Sequence, residues 1–216
     1  MTTRLSRAEQ QARTHRDLLA TARAEFLKNG YTATRLDVIA ERAGYSKGAV
    51  YSNFTDKPAL CQAVLADIRR EKFDEVEVIA TSSDDLATVA DALGDWFRTT
   101  VGDVEWTSLE LEFSALARTD SVVRAMTVAS RREISGRIAQ LLTDVLGAPD
   151  EVVPGVVLPQ MSDVADLLLS TGIGLGISRA FDPEVSLEPG ITGMKAAVGL
   201  LTAVRGATVP PQGLEP

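Results

Sequence analysis

The side chains best suited to chemistry lie between residues 34 and 57, in the segment TRLDVIAERAGYSKGAVYSNFTDK. They carry hydroxyl, amide and ammonium groups, which hydrogen-bond phosphate oxygens and the edges of bases. The chain has one histidine and one cysteine, and it contains no P-loop or glycine-rich nucleotide motif. The residue types therefore favour nucleic-acid binding over catalysis, and we expect no catalytic residue, no metal and no cofactor.

Two short helices around a tight turn must position these side chains. The first helix begins at Thr34, whose hydroxyl can cap free backbone N–H groups, and Gly44 follows its end with a left-handed backbone. The second runs from residue 47 to residue 54, with Ser46 as its cap. The apolar anchors of the two helices are Leu36, Ile39, Ala40, Ala43, Val50 and Phe54. This is the pattern of a helix-turn-helix whose second helix enters a DNA major groove.

The side chains that are not anchors are left to face DNA. Gly48 and Ala49 are small enough to bring the helix backbone close to bases, and Lys47 can reach a guanine edge or a phosphate. Asn53 either reads adenine or faces solvent. For Arg35 the alternatives are a DNA contact and a solvated surface position. The predicted DNA-contacting residues are Thr34, Arg35, Tyr45, Ser46, Lys47, Gly48, Ala49, Tyr51, Asn53 and Lys57.

Phosphate contacts are expected from three of these residues. Thr34 and Lys57 each stand at the start of a helix, where free backbone N–H groups also favour anions. Tyr51 can donate its hydroxyl. The first twelve residues are polar, with Arg4 and Arg7 among them, and form either an irregular arm that touches the minor groove or a frayed terminus.

The motif residues resemble the DNA-binding domain of the TetR family. Residues 39–48 read Ile-Ala-Glu-Arg-Ala-Gly-Tyr-Ser-Lys-Gly, residues 51–54 read Tyr-Ser-Asn-Phe, and Lys57 follows. The family pattern is Ile-Ala-x-x-Ala-Gly-[Val/Tyr]-Ser-[Lys/Arg]-Gly, then Tyr-x-x-Phe, then a lysine at the head of the fourth helix. The match covers about residues 14–60. The resemblance implies a bacterial transcriptional regulator, and it gives Tyr51 the role of the family's phosphate-contacting tyrosine.

The charge of the chain is divided between its two ends. Residues 1–60 hold ten Lys or Arg and six Asp or Glu, a balance of +4, whereas the rest of the chain has a balance of −12. The net charge of −8 therefore does not argue against DNA binding, because only the basic N-terminal part needs to meet phosphate.

Helical periodicity continues to about residue 204, before a tail with three prolines, and predicts an all-α protein with about nine helices. We expect a three-helix DNA-binding head at residues 12–60, with its motif at about 35–54. Residues 61–206 would then form a helical bundle for ligand binding and dimerisation. The expected helices, beyond the motif, are 13–29, 57–81, 84–101, 106–118, 121–146, 162–181 and 190–204.

The resemblance implies a ligand pocket in the C-terminal helices and a dimer interface built by the last two. Pocket candidates are Trp96, Phe97, Trp106, Leu109, Phe113, Met126 and Ile173, although their spacing is what core residues have in any case, and core packing is the more usual explanation. Three glycines, at 172, 174 and 176, weaken one helix and suit close helix packing. The expected dimer residues are Leu168, Gly172, Gly176, Ala197 and Leu201.

The function expected from these features is a homodimeric, ligand-responsive repressor. It would leave a palindromic operator on double-stranded DNA when a largely apolar small molecule binds. An alternative is a DNA-binding regulator whose C-terminal domain only dimerises or binds a protein partner. The apolar run from residue 164 to residue 177 is too short to span a membrane and carries Asp166, so no membrane partner and a cytoplasmic location are expected.

Overall fold

The fold is known from a computed structural model that describes residues 6–146 and 160–208, with side chains described as far as position 200. Every regular element in these ranges is an α-helix, which confirms the predicted all-α class. The nine helices within them are α1 Arg7–Ala33, α2 Leu36–Arg42, α3 Lys47–Asn53, α4 Lys57–Ala80, α5 Leu86–Thr100, α6 Val104–Leu116, α7 Ser121–Leu146, α8 Met161–Phe181 and α9 Glu188–Thr208.

The helices form two compact units. The N-terminal unit contains the residues up to Lys72 and the segment Val104–Ser130, and the C-terminal unit contains Phe73–Asp103 and the residues from Arg131 onward. Helices α4 and α7 thus contribute to both units. The sequence predicts that the DNA-binding domain ends at residue 60. The compact units are defined by contacts and not by function, so this boundary stays a prediction.

One buried cluster holds the N-terminal unit together. Helix α6 packs along α1, and α2 and α3 pack on each other and on α1. Burial of the apolar side chains in this cluster is the main contribution to the stability of the unit, at about 25 cal/mol for each Å² of apolar surface removed from water. Its largest fully buried side chains are Leu18, Phe26, Ile39, Val50, Leu60, Val64, Leu65, Leu109, Phe113 and Val123.

The first helix begins earlier than the sequence predicts. Ser6 accepts the backbone N–H of Glu9, and the Glu9 carboxylate accepts the N–H of Ser6, so the two residues form a capping box. The expected irregular segment over residues 7–12 is therefore wrong, because this local cap starts the helix at Arg7. Residues 1–5 lie outside the described part of the chain. A kink at Gly30 (φ 75°, ψ 173°) marks the expected break, after which helical turns continue to Ala33.

Helices α5, α8 and α9, together with the C-terminal parts of α4 and α7, build the described part of the C-terminal unit. Asp85 caps α5 by accepting the backbone N–H groups of Ala87 and Thr88, and α9 packs against both α5 and α8. The glycines of α8 allow the expected close approach between helices, and the contacts found are within one chain. A Cβ built on Gly176 lies 3.5 Å from Cγ1 of Val101, and one built on Gly172 lies 3.8 Å from the Phe97 ring.

Helix α8 is long and apolar enough to cross a membrane, judged by length and composition alone. Its most apolar window has a mean hydropathy of 1.3, and 11% of that window is buried. The sequence expectation that this segment is too short to span a membrane rested on the apolar run at residues 164–177. Helix α8 extends beyond that run at both ends, so the helix meets a length criterion that the run alone does not.

Candidate nucleic-acid interface

Helices α2 and α3 meet at a turn whose geometry follows from its sequence. Gly44 has a φ of 76°, a conformation that costs glycine little and other residues more. The N–H of Tyr45 reaches the Ala40 carbonyl at 2.9 Å, which closes the end of α2. Ser46 then accepts the N–H of Ala49 at 3.2 Å and caps α3. The predicted helix-turn-helix and its cap are confirmed.

The two faces of α3 differ as its sequence predicts. Val50 is fully buried and Phe54 is 7% exposed, so both anchor the helix in the core. On the other side, Lys47 and Gly48 are exposed and Tyr51 is 51% exposed. The Lys47 ammonium lies 5.9 Å from the centre of the Tyr51 ring. A cation, a phenol hydroxyl and a bare backbone therefore share one exposed surface.

Helix α1 holds α3 at both ends. The Tyr45 hydroxyl donates to the Asp17 carboxylate at 2.8 Å, just before α3 begins. At the other end the ring of His15 stacks on Phe54 with 4.7 Å between ring centroids. The sequence missed both contacts, since only the fold brings α1 beside α3. Tyr45, predicted to contact DNA, is a half-buried support whose hydroxyl is already engaged.

Thr34 does not occupy the predicted position. It is 3% exposed, and its hydroxyl donates to the carbonyls of Gly30 at 2.7 Å and Glu25 at 3.1 Å. Helix α2 begins at Leu36, after Arg35, and no side chain caps it. The capping role predicted for Thr34 is wrong, because its hydroxyl satisfies carbonyls at the end of α1. Its side chain is therefore not available to phosphate.

Two further candidates have local partners. Arg35 forms an ion pair of 2.6 Å with Asp37, and this guanidinium lowers the pKa of the Asp37 carboxyl. Asn53 donates from Nδ2 to the Ala49 carbonyl at 2.8 Å. Arg35 is 72% exposed in its side chain, so DNA could still replace Asp37 as its partner. Asn53 is half-buried, and one of its two amide N–H donors is committed to the helix.

Lys57 is held beside the junction of α1 and α2. Its ammonium donates to the Thr32 carbonyl at 3.2 Å and lies 4.4 Å from the centre of the Tyr31 ring. Partial burial lowers the pKa of Lys57 below its ordinary value. An ammonium has three donors, so those that Thr32 leaves free can serve a phosphate.

An ion pair between a buried carboxylate and an exposed guanidinium, which the sequence did not single out, fixes the end of α2. Glu25 of α1 is 6% exposed, and it pairs with Arg42 in the last turn of α2. Asn29 donates to the same carboxylate at 3.2 Å. A buried carboxylate needs such partners, because removing one of them leaves an uncompensated charge. The basic side chain of Arg42 thus supports the fold of the head.

The predicted pocket residues fall into two groups. Leu109 and Phe113 are fully buried in the core of the N-terminal unit, with Trp106 and Met126 packed against them. Trp106 donates its indole N–H to Glu110 at 3.1 Å. Leu109 and Phe113 thus belong to this core, and Trp106 and Met126 lie at its edge.

The other three predicted pocket residues lie in the C-terminal unit. Trp96 donates to Glu75 at 2.8 Å, and Phe97 faces Gly172. Ile173 is 45% exposed, and its predicted place in a pocket stays a prediction. A cavity of about 460 Å³ in the same unit is lined by none of the predicted residues. Its lining is Asp84, Asp85, Leu86, Ala87, Ala90, Asp91, Lys195, Val198 and Gly199.

The predicted dimer residues also divide. Gly172 and Gly176 approach Phe97 and Val101 of their own chain, and their predicted place in a dimer interface stays a prediction. Leu168 is half-buried and Ala197 is exposed. Leu201 lies outside the residues whose side chains are described.

Comparison with known proteins agrees with this geometry. Residues 18–64 match the family of bacterial regulatory proteins called the tetR family. The chain is 36% identical over 78 residues to the probable HTH-type transcriptional regulator ArpR of Pseudomonas putida, and 35% identical over 78 residues to the HTH-type transcriptional regulator TtgR of the same species. Each match covers 36% of this chain, and only 37% of the length of the relative.

The whole fold has counterparts among solved structures. A putative transcriptional regulator from Rhodococcus sp. RHA1 superposes with a TM-score of 0.68 over 88% of this chain and 97% of its own, at 16% identity. Residues 18–64 are therefore similar to the DNA-binding part of TetR-family transcriptional regulators. The helix-turn-helix, α2 to α3, lies within this matched segment.

Proposed function

We propose that the chain binds double-stranded DNA through α3 and regulates transcription. The observation that carries this proposal is the division of α3, where Val50 and Phe54 anchor one face while Lys47, Gly48 and Tyr51 stay exposed on the other. A helix held in this way can enter a major groove without losing its support.

Each exposed group has a defined use at such a surface. Lys47 serves a guanine edge or a phosphate, and Gly48 allows the helix backbone to approach the bases. Tyr51 and Lys57 supply donors to phosphates, which fix the register of the protein on the duplex. We keep Arg35 as a DNA contact, whereas Thr34 and Tyr45 act as supports.

A homodimer is the proposed working form. Exposed positions on α8 recur every three or four residues, at Leu167, Ser170, Gly174, Ser178 and Phe181, so they form one stripe along the helix. Leu167 is 67% exposed and Phe181 is 77% exposed. On α9, Gly193, Ala197 and Leu200 are exposed at similar spacing. Small and apolar side chains of this kind suit helix packing against a second copy.

Two such heads would place two copies of α3 in successive major grooves, about 34–36 Å apart, on a palindromic operator. We propose a repressor whose operator affinity falls when a largely apolar small molecule binds the C-terminal domain. By linkage, DNA and that molecule then weaken each other's binding, typically by about 1–3 kcal/mol.

A second candidate keeps DNA binding without a small-molecule effector. The full burial of Leu109 and Phe113 favours it, because these predicted pocket residues are already packed. A screen of apolar metabolites for release of bound DNA separates the two. Release by a metabolite supports the repressor, and retention throughout supports a C-terminal domain that only dimerises or binds a protein.

The DNA-binding proposal is tested with duplexes selected by the protein from a random pool at about 50 mM salt, where phosphate contacts are strong. We expect the parent to enrich a palindrome and the double variant Lys47→Ala, Tyr51→Phe to lose the preference for it. Lys28→Ala removes an exposed lysine of α1 and serves as the charge-matched control. Failure of the parent to retain any duplex would overturn the proposal.

A further inference from the structure

Thr32 is held from both sides by charged side chains of two other helices. Its N–H donates to Oε2 of Glu112, on α6, at 2.9 Å. Its carbonyl accepts from the Lys57 ammonium, at the start of α4, at 3.2 Å. A single exposed residue therefore joins α6 and α4 at the junction where α1 gives way to α2. We call this arrangement the Thr32 clamp.

Gly30 makes room for the clamp. A Cβ built on Gly30 would lie 2.3 Å from Oε1 of Glu112, well inside van der Waals contact. The φ of 75° and ψ of 173° at Gly30 also belong to a region that other residues rarely adopt. Glycine thus permits the kink and the approach of the Glu112 carboxylate at the same time.

The aromatic side chains beside Thr32 leave Lys57 little freedom. Tyr31 stacks on Phe26 with centroids 6.0 Å apart, and its ring meets the edge of Phe113 at 5.8 Å. Lys57 rests on this fixed ring, 4.4 Å from its centre. Because the ring is fixed by the core and the Thr32 carbonyl is fixed by Glu112, the position of the ammonium is fixed as well.

We propose that Glu112 is a positioning residue for DNA binding, which acts through Thr32 to hold the Lys57 ammonium where a phosphate can reach it. Glu112 does not touch DNA in this account. The proposal rests on the proposed DNA-binding function and adds to it a residue of α6. Two helices, α4 and α5, separate α6 from the recognition helix α3 in the sequence.

The hydrogen bond to Thr32, rather than the charge of Glu112, does the positioning. Glu112→Gln keeps an oxygen that can accept the Thr32 N–H but removes the charge. Glu112→Ala removes both, and Glu112→Asp keeps the charge but shortens its reach. These three variants separate the contribution of the hydrogen bond to Thr32 from that of the Glu112 charge. Glu105→Ala removes an exposed carboxylate from the same helix and is the matched control.

The measurement is the dependence of duplex affinity on salt, with the palindrome that the parent protein selects. Each phosphate contact contributes about 0.9 to the slope of log K against log salt. We expect Glu112→Ala and Glu112→Asp to lower the slope by about 0.9 for each protomer, the value expected for loss of the Lys57 contact. Glu112→Gln and Glu105→Ala should keep the parent slope.

A second comparison uses Lys57→Ala, which should lower the slope by the same amount. Adding Glu112→Ala to Lys57→Ala should lower it no further, because both changes remove one contact. Thermal unfolding confirms that each variant is folded at the temperature of the assay. If Glu112→Ala fails this check, Glu112→Asp carries the test.

Two results would overturn the inference while leaving DNA binding intact. One is an unchanged slope in Glu112→Ala and Glu112→Asp, and the other is an equal loss in Glu112→Gln. A parent protein that binds no duplex is a different failure, because it removes the proposed function on which the inference rests.

Discussion

The Tyr45 hydroxyl donates a hydrogen bond of 2.8 Å to the carboxylate of Asp17. This bond joins the turn before α3 to the middle of α1. Together with the stacking of His15 on Phe54, it fixes the recognition helix at both ends. The orientation of α3 thus depends on α1 as well as on its own apolar anchors.

Tyr45→Phe should lower the free energy of unfolding by about 1 kcal/mol, the usual contribution of such a bond, or somewhat more because Asp17 is charged. Urea unfolding measures the change as a shift in the midpoint. Tyr51→Phe is the matched control, since its exposed hydroxyl contributes no intramolecular bond among those described. It should unfold like the parent and lose duplex affinity instead. Equal stability of Tyr45→Phe and the parent would show that the hydrogen bond between Tyr45 and Asp17 does not stabilise the fold.

Lys47→Ala tests whether α3 reads bases. The side chain is exposed at the start of the helix, next to the bare backbone of Gly48. If Lys47 contacts a guanine, the variant should tolerate substitution at one position in each half-site, at a cost of about 1–3 kcal/mol on the parent sequence. Affinities for a set of single-base operator variants measure this preference. A uniform loss across all duplexes, like that expected for Lys57→Ala, would make Lys47 a phosphate contact.

The parts of the head that the sequence predicted correctly are those set by near neighbours. Ser46 caps α3, Gly44 takes a left-handed conformation, and Val50 and Phe54 are buried. Each follows from periodicity or from a cap within four residues. The number and approximate bounds of the helices were predictable for the same reason.

The start of α1 was missed although its capping box is local, whereas the other errors concern contacts that the fold creates. Thr34 donates to the Gly30 carbonyl and to the Glu25 carbonyl nine positions earlier, which an N-cap pattern does not indicate. The close packing expected at Gly172 and Gly176 is found against residues of the same chain, which only the fold shows. Leu109 and Phe113 have the same spacing whether they line a pocket or fill a core.

Gly30→Ala should destabilise the protein by about 1–3 kcal/mol, because its backbone region suits only glycine. The new methyl group should also displace Glu112 from Thr32. Gly44→Ala is the matched control, since its φ is similar but no described atom lies within 4 Å of a Cβ there. Urea unfolding should therefore show non-additive effects for Gly30→Ala with Glu112→Ala, and additive effects for Gly44→Ala with Glu112→Ala. Additivity in both pairs would contradict the described contact.

Cys61 should be inert in the folded protein. The residue is fully buried, and burial raises the pKa of its thiol from 9.0 to about 12. The thiolate is the reactive form, so labelling by a disulfide reagent at about pH 8 should proceed only through unfolding. The labelling rate should rise with urea in step with the unfolding rate. Rapid labelling in native buffer would show that the thiol is accessible.

The same pKa shift predicts how stability depends on alkaline pH. Between about pH 9 and pH 12 the unfolded thiol loses its proton while the folded thiol keeps it, so the folded state binds more protons. The contribution of Cys61 is therefore fully present below about pH 9 and is lost as the pH rises through that window. Cys61→Ala should show a shallower decline of unfolding free energy over the same range. An identical decline would assign the pH dependence to other groups.

Leu167→Glu tests the proposed dimer. The side chain is 67% exposed on α8 and belongs to the stripe that ends at Phe181. Charge there costs little in a monomer, whereas a partner helix would bury it without a counter-ion, which is strongly unfavourable. Sedimentation equilibrium should show a dimeric parent and a largely monomeric variant. Val78→Glu alters a side chain of similar exposure, 69%, on α4 and should remain dimeric. A parent that sediments as a monomer would instead leave the stripe of α8 without the proposed partner, and α3 would then meet one half-site at a time.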